Sequence, residues 1–131
     1  MFLHLLSTPQ KESFFVLAYR LSMIDAEQDR SELRRLEDLK RRLGQLDDPD
    51  MAAIAAELDV SAFDTTQSRS IAMMELLSLA YSDDFLDQAE SDMISDIAVA
   101  FGFTQEDLNK MAEWAMSSLE LINRGEAMMN G

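Results

Sequence analysis

At 131 residues and 47% hydrophobic content, the chain has the size of one domain and is too apolar for a disordered tail. Its formal net charge of −14, from 25 acidic and 11 basic residues, opposes phosphate backbones and anionic membranes and favours cations and basic partners. The absence of cysteine excludes disulfides, thiolate metal sites and sulfur nucleophiles.

Four glycines and two prolines against ten methionines, with abundant Leu, Ala and Glu, point to an all-α protein. No run of alternating Val, Ile and Thr argues for strands. The opening MFLHLLSTPQ lacks the basic region and long apolar core of a secretory signal, and no stretch of about 18 apolar residues could span a bilayer. A cytoplasmic protein with no membrane insertion and no nucleic-acid partner is expected.

Thr8-Pro9 reads as a helix start, a hydroxyl cap followed by proline at the first helical position. The helix carries Phe14, Phe15, Val16, Leu17, Ala18, Tyr19 and Leu21, apolar on most faces, and should end near Met23. Asp25 is expected to cap a second helix, with Gln28 in a capping box. Leu33, Leu36, Leu39 and Leu43 form its apolar stripe and Gly44 stops it. Five of the basic residues lie between Arg34 and Arg42, and Glu37–Arg41 and Asp38–Arg42 are expected as i,i+4 pairs on a solvated face.

Asp48-Pro49 opens a short third helix with Met51, Ile54, Ala55 and Leu58 on one face. Phe63 anchors the connector that follows. Asp64 or Thr66 then starts the central helix, which runs to Ser82. Its core, IAMMELLSLAY from Ile71 to Tyr81, holds one charge, Glu75, and reads as buried nearly all round. Asp83, Asp84 and Asp87 follow it, the wrong charge for a helix C-terminus. Asp87 and Glu90 can form a capping box for the next helix, where Met93, Ile94, Ile97 and Phe101 recur at helical spacing. Gly102 ends that helix and Phe103 is expected to pack back on its last turn. Thr104 with Asp107 caps the last helix, about 105–123, with a core stripe through Leu108, Met111, Ala112, Ala115, Leu119 and Ile122 and a second stripe of Trp114 and Leu121. Residues 124–131 read as a frayed tail.

The chain also repeats itself. Leu17-Ala18-Tyr19 recurs as Leu79-Ala80-Tyr81, a shift of 79 − 17 = 62. At that shift Asp25 falls on Asp87, and after a one-residue slip Glu27 corresponds to Glu90. Two halves, about 9–44 and 65–102, therefore read as helical hairpins of one design in a compact bundle of about six or seven helices.

Asp83, Asp84, Asp87 and Glu90 lie within eight residues, and oxygen ligands so clustered suit a hard cation such as Ca²⁺ or Mg²⁺. Asp25 and Glu27 would join them if the halves pack turn to turn. The alternative is that Asp87 and Glu90 only cap while Asp83 and Asp84 are hydrated. The spacing is not that of an EF-hand, since Ile94 occupies the twelfth place. His4 is the only histidine, and there is no glycine-rich phosphate loop, so catalysis is not expected. Met73, Met74, Met93, Met111 and Met116 are expected as core filler.

The stretch Leu79-Ala80-Tyr81-Ser82-Asp83-Asp84-Phe85-Leu86-Asp87-Gln88-Ala89-Glu90 resembles the acidic turn of the TerB-like family. That family includes the tellurite-resistance protein TerB and the N-terminal domain of DjlA-type co-chaperones. The resemblance spans Phe14 to Leu119, with Asp84 where the family usually has glycine and no Asp-Gly pair in the first half. It implies an all-helical bundle and a non-enzymatic, protein-binding role in a bacterial stress response, with a divalent cation at Asp83, Asp87 and Glu90. A metal-independent, co-chaperone-like interaction domain is the alternative, and a carboxylate-based hydrolase the outsider. Trp114 and Leu121 read first as the second face of a well-packed terminal helix, with a partner surface or homodimer contact as the alternative.

Overall fold

The computed structural model describes residues 2–23, 30–44, 52, 56, 58–81 and 88–130. These form a helical bundle. A 3-10 turn, Leu3–Leu5, is followed by α1 (Thr8–Met23), α2 (Arg30–Arg42), α3 (Thr66–Tyr81), α4 (Gln88–Phe101) and α5 (Gln105–Met129). Among the described residues there is no strand, and there are five α-helices where six or seven are expected. The helix expected after Asp48 falls mostly outside the described residues, as do the Asp25 and Asp87 caps.

The local starts and stops follow side-chain chemistry. The Ser7 hydroxyl accepts from the Gln10 N–H at 3.3 Å while the Gln10 side-chain oxygen accepts from the Ser7 N–H at 2.9 Å, so the cap of α1 is Ser7 and not Thr8. Thr65 caps α3 in the same reciprocal way with Ser68, one residue from each of the expected starts. Thr104 and Asp107 form the capping box expected for α5. Gly44 and Gly102 close α2 and α4 at φ of 100° and 83°, a region where side chains are strained. After Gly102 the Phe103 N–H reaches back to the Ala98 carbonyl at 2.9 Å, and the Phe103 ring lies 6.0 Å from that of Phe101.

The core forms around α3. Ile71, Ala72, Met73, Leu76, Leu77 and Ala80 are all buried, as an apolar helix without a polar face requires. α3 packs most extensively on α5 and also meets α1, α4 and the N-terminal turn. Phe63 is fully buried and sets its ring edge-on to Phe101 at 5.5 Å, so the connector before α3 is anchored as expected. Arg69 holds the same connector by donating to the Phe63 carbonyl at 2.8 Å.

Two expectations about α5 and the methionines do not hold. α5 continues to Met129 rather than fraying at 124, because Arg124, Glu126, Ala127, Met128 and Met129 all favour helix and Gly125 alone does not stop it. Met116 points outward at 48% exposure, whereas Met73 is fully buried. The second stripe of α5 also divides. Trp114 is half-buried with its ring 5.8 Å from Phe2, while Leu121 is 68% exposed.

Candidate functional site

Of the six acidic residues singled out in the sequence, Asp25, Glu27, Asp83, Asp84 and Asp87 lie outside the described residues. Glu90 stands in the first turn of α4 and is only 8% exposed. A carboxylate suits the positive end of a helix dipole, and burying one requires polar or cationic company. Among the described residues, no group of three or more His, Asp or Glu side chains is placed to hold a metal ion.

The described elements nevertheless fix which residues correspond between the halves. α1 starts at Thr8 and α3 at Thr66, and the closing glycines are Gly44 and Gly102. Each pair is 58 residues apart (66 − 8, 102 − 44). At this offset the buried Leu36, Leu39 and Leu43 fall on the buried Ile94, Ile97 and Phe101. The 62-residue shift does not bring these helix starts and glycines into correspondence.

The corrected register changes the acidic set. Asp25, Asp29 and Glu32 now fall on Asp83, Asp87 and Glu90, giving each half Asp, Asp and Glu at the same spacing. Glu27 falls on Phe85 and leaves the set, and Asp84 falls on Ala26 and has no counterpart. The 58-residue offset pairs Asp29 and Glu32 with Asp87 and Glu90, a correspondence the 62-residue shift does not make. The signal that finds them is the glycine pair Gly44 and Gly102 with the apolar triplets before it.

A second feature lies across the middle of α3. Two cavities, each of about 210 Å³, meet at Arg42, Glu75 and Ser78. One lobe adds Phe14, Leu39 and Leu79, and the other adds Trp114, Ser118, Leu119 and Ile122. Glu75 is 7% exposed, and its Oε1 accepts the Phe2 N–H at 2.9 Å. The sequence marks Glu75 only as the lone charge of an apolar helix. Asp38 pairs with Arg41 at i,i+3 rather than with Arg42 at i,i+4, and both spacings place partners side by side on a helix. Arg42 makes no ion pair or hydrogen bond with a described residue. The cleft thus has apolar lobes and a cation over its waist. His4 is exposed on the N-terminal turn, remote in sequence from both features.

Among the described residues, no helix is long and apolar enough to cross a membrane. Comparison of the chain with protein-family models, with curated proteins and with solved structures found no match.

Proposed function

We propose that this chain is a non-catalytic, protein-binding helical module of the TerB-like kind, acting in the cytoplasm in a bacterial stress response of the tellurite-resistance type. A divalent cation at the acidic connectors is part of the proposal. The observation that carries it is the recurrence, 58 residues apart (66 − 8), of one unit: helix, acidic connector, amphipathic helix, glycine with positive φ. Each connector brings Asp, Asp and Glu at one spacing, and the donor set is all oxygen, which suits Ca²⁺ or Mg²⁺. Asp83, Asp87 and Glu90 would hold one ion, and Asp25, Asp29 and Glu32 the corresponding one. The ion would supply positive charge where a helix C-terminus and several carboxylates meet. The chain's own contribution among the described residues is Glu90, buried in the first turn of α4.

The test is calorimetric titration of chelator-treated protein with Ca²⁺, Mg²⁺, Mn²⁺ and Zn²⁺, beside Asp83→Asn with Asp87→Asn. Saturable heat for two ions, one of which the double substitution removes, supports the cation. No heat at millimolar ion overturns it and leaves the carboxylates as caps and hydrated charge. The cleft and the exposed apolar end of α5 support protein binding without a metal as the second reading.

A further inference from the structure

The last third of α5 leaves large apolar side chains in water. Leu121 is 68% exposed, Ile122 49%, Met128 80% and Met129 79%. They recur with Gly125 at spacings of three and four, so they form one stripe along the helix. The stripe is continuous with the cleft, because Trp114, Ser118 and Ile122 of the same helix line one lobe. A contiguous apolar surface that runs from a cleft onto a projecting helix is an interaction surface rather than scattered exposure.

We infer that a second copy of this chain covers it, with the two α5 helices antiparallel about a two-fold axis beside Leu121 and Ile122. Three observations select this occupant. First, one helix carries both the projecting side chains and the lobe that would receive them, as an isologous contact requires. With the axis so placed, Met129 of one copy lies across from the half-buried Trp114 of the other, at the lobe. Gly125 lies across from Ser118, and a Cβ at Gly125 would meet nothing within 4 Å in the single chain. Two small residues there let the helices approach closely.

Second, charge matches. Arg42 over that lobe pairs with no described residue, and Glu126 of the incoming helix flanks the apolar stripe. Third, the segment from Glu120 to Met129 holds two acids and one base, so it is nearly neutral in a chain of net charge −14. Two such acidic chains meet at least cost through this end. The dimer does not depend on the cation reading, since no connector residue takes part.

Sedimentation across protein concentration tests it, with metal removed by chelator so that the two proposals fail separately. The parent chain should show a monomer–dimer equilibrium with a dissociation constant in the range of about 1–100 μM, below the affinity of standard-sized interfaces. Leu121→Glu with Met128→Glu should weaken it at least tenfold with helicity unchanged, because both side chains are exposed in the single chain. Gly125→Leu should do the same by holding the helices apart, and the open space at Gly125 keeps the single chain folded. Arg42→Glu should weaken association, and adding Glu126→Arg should restore it. A parent that stays monomeric to several hundred micromolar overturns the proposal. So does a dimer indifferent to these substitutions, or one in which Glu126→Arg fails to rescue Arg42→Glu.

Discussion

The Phe2 amide donates to the Glu75 carboxylate at 2.9 Å, which ties the N-terminal turn to the middle of α3. The same residue sets its ring against Trp114 of α5 at 5.8 Å. One buried carboxylate thus helps assemble three elements around the cleft, and its removal leaves a half-buried N–H without its acceptor. Glu75→Ala should lower stability by about 1–3 kcal/mol. Glu75→Gln, which keeps an acceptor oxygen, should lose less. Urea unfolding of the two variants beside the parent checks the order.

The Phe63 side chain anchors the connector before α3, fully buried and edge-on to Phe101. Phe63→Ala should cost about 3–5 kcal/mol from lost transfer energy and the cavity left behind. Phe63→Leu should recover more than half of that loss in the same measurement.

The glycines should respond with opposite signs. Gly102 has φ of 83° with open space where a Cβ would stand, so Gly102→Ala should destabilise by about 1–2 kcal/mol through backbone strain without steric clash. Gly44 should behave alike at φ of 100°. Gly125 has ordinary helical backbone and open space, so Gly125→Ala should stabilise the monomer by about 0.5–1 kcal/mol. Thermal unfolding at a concentration too low for self-association separates the three.

The capping box of α5 gives a pH signature. The Thr104 N–H, and then its hydroxyl, hold the Asp107 carboxyl below its ordinary value. A carboxyl whose folded pKa is depressed contributes stability that is present above its unfolded value, near 3.9, and is lost as pH falls through the lower folded value. Thr104→Ala, which removes the cap, should therefore lower stability at neutral pH. The gap between parent and variant should narrow as pH falls below the ordinary carboxylate range and through the lowered Asp107 value. Unfolding at pH 7 and at pH 3 measures both.

Helix ends were legible in the sequence wherever one or two residues decide them. Thr104 with Asp107, and Gly44 and Gly102, act through their own side chains or backbone, and the structure places them as read. Ser7 and Thr65 show the limit. Neighbouring hydroxyls compete for one cap, and only the reciprocal bonds to Gln10 and Ser68 decide. The repeat register was harder, since Leu-Ala-Tyr recurs in any two buried helices. Glycines in a left-handed conformation are far rarer anchors, and they set the offset that brings in Asp29 and Glu32. The exposure of Leu121 was not legible, because periodicity places it on a stripe but not on a covered one. Arg42 over the cleft depends on Asp38 choosing Arg41, a preference between two equally near neighbours.

The most direct test of the central claim compares two substitutions in the first half, Glu32→Gln and Glu27→Gln, by calorimetric titration of the chelator-treated protein with Ca²⁺ and Mg²⁺. Paired acidic connectors in the 58-residue register predict that the parent binds a divalent ion at each half (90 − 32 = 58). Glu32→Gln should then weaken binding at one of the two sites at least tenfold, while Glu27→Gln leaves both intact. Equal curves for the parent and Glu32→Gln, or no binding by the parent at millimolar ion, would contradict it.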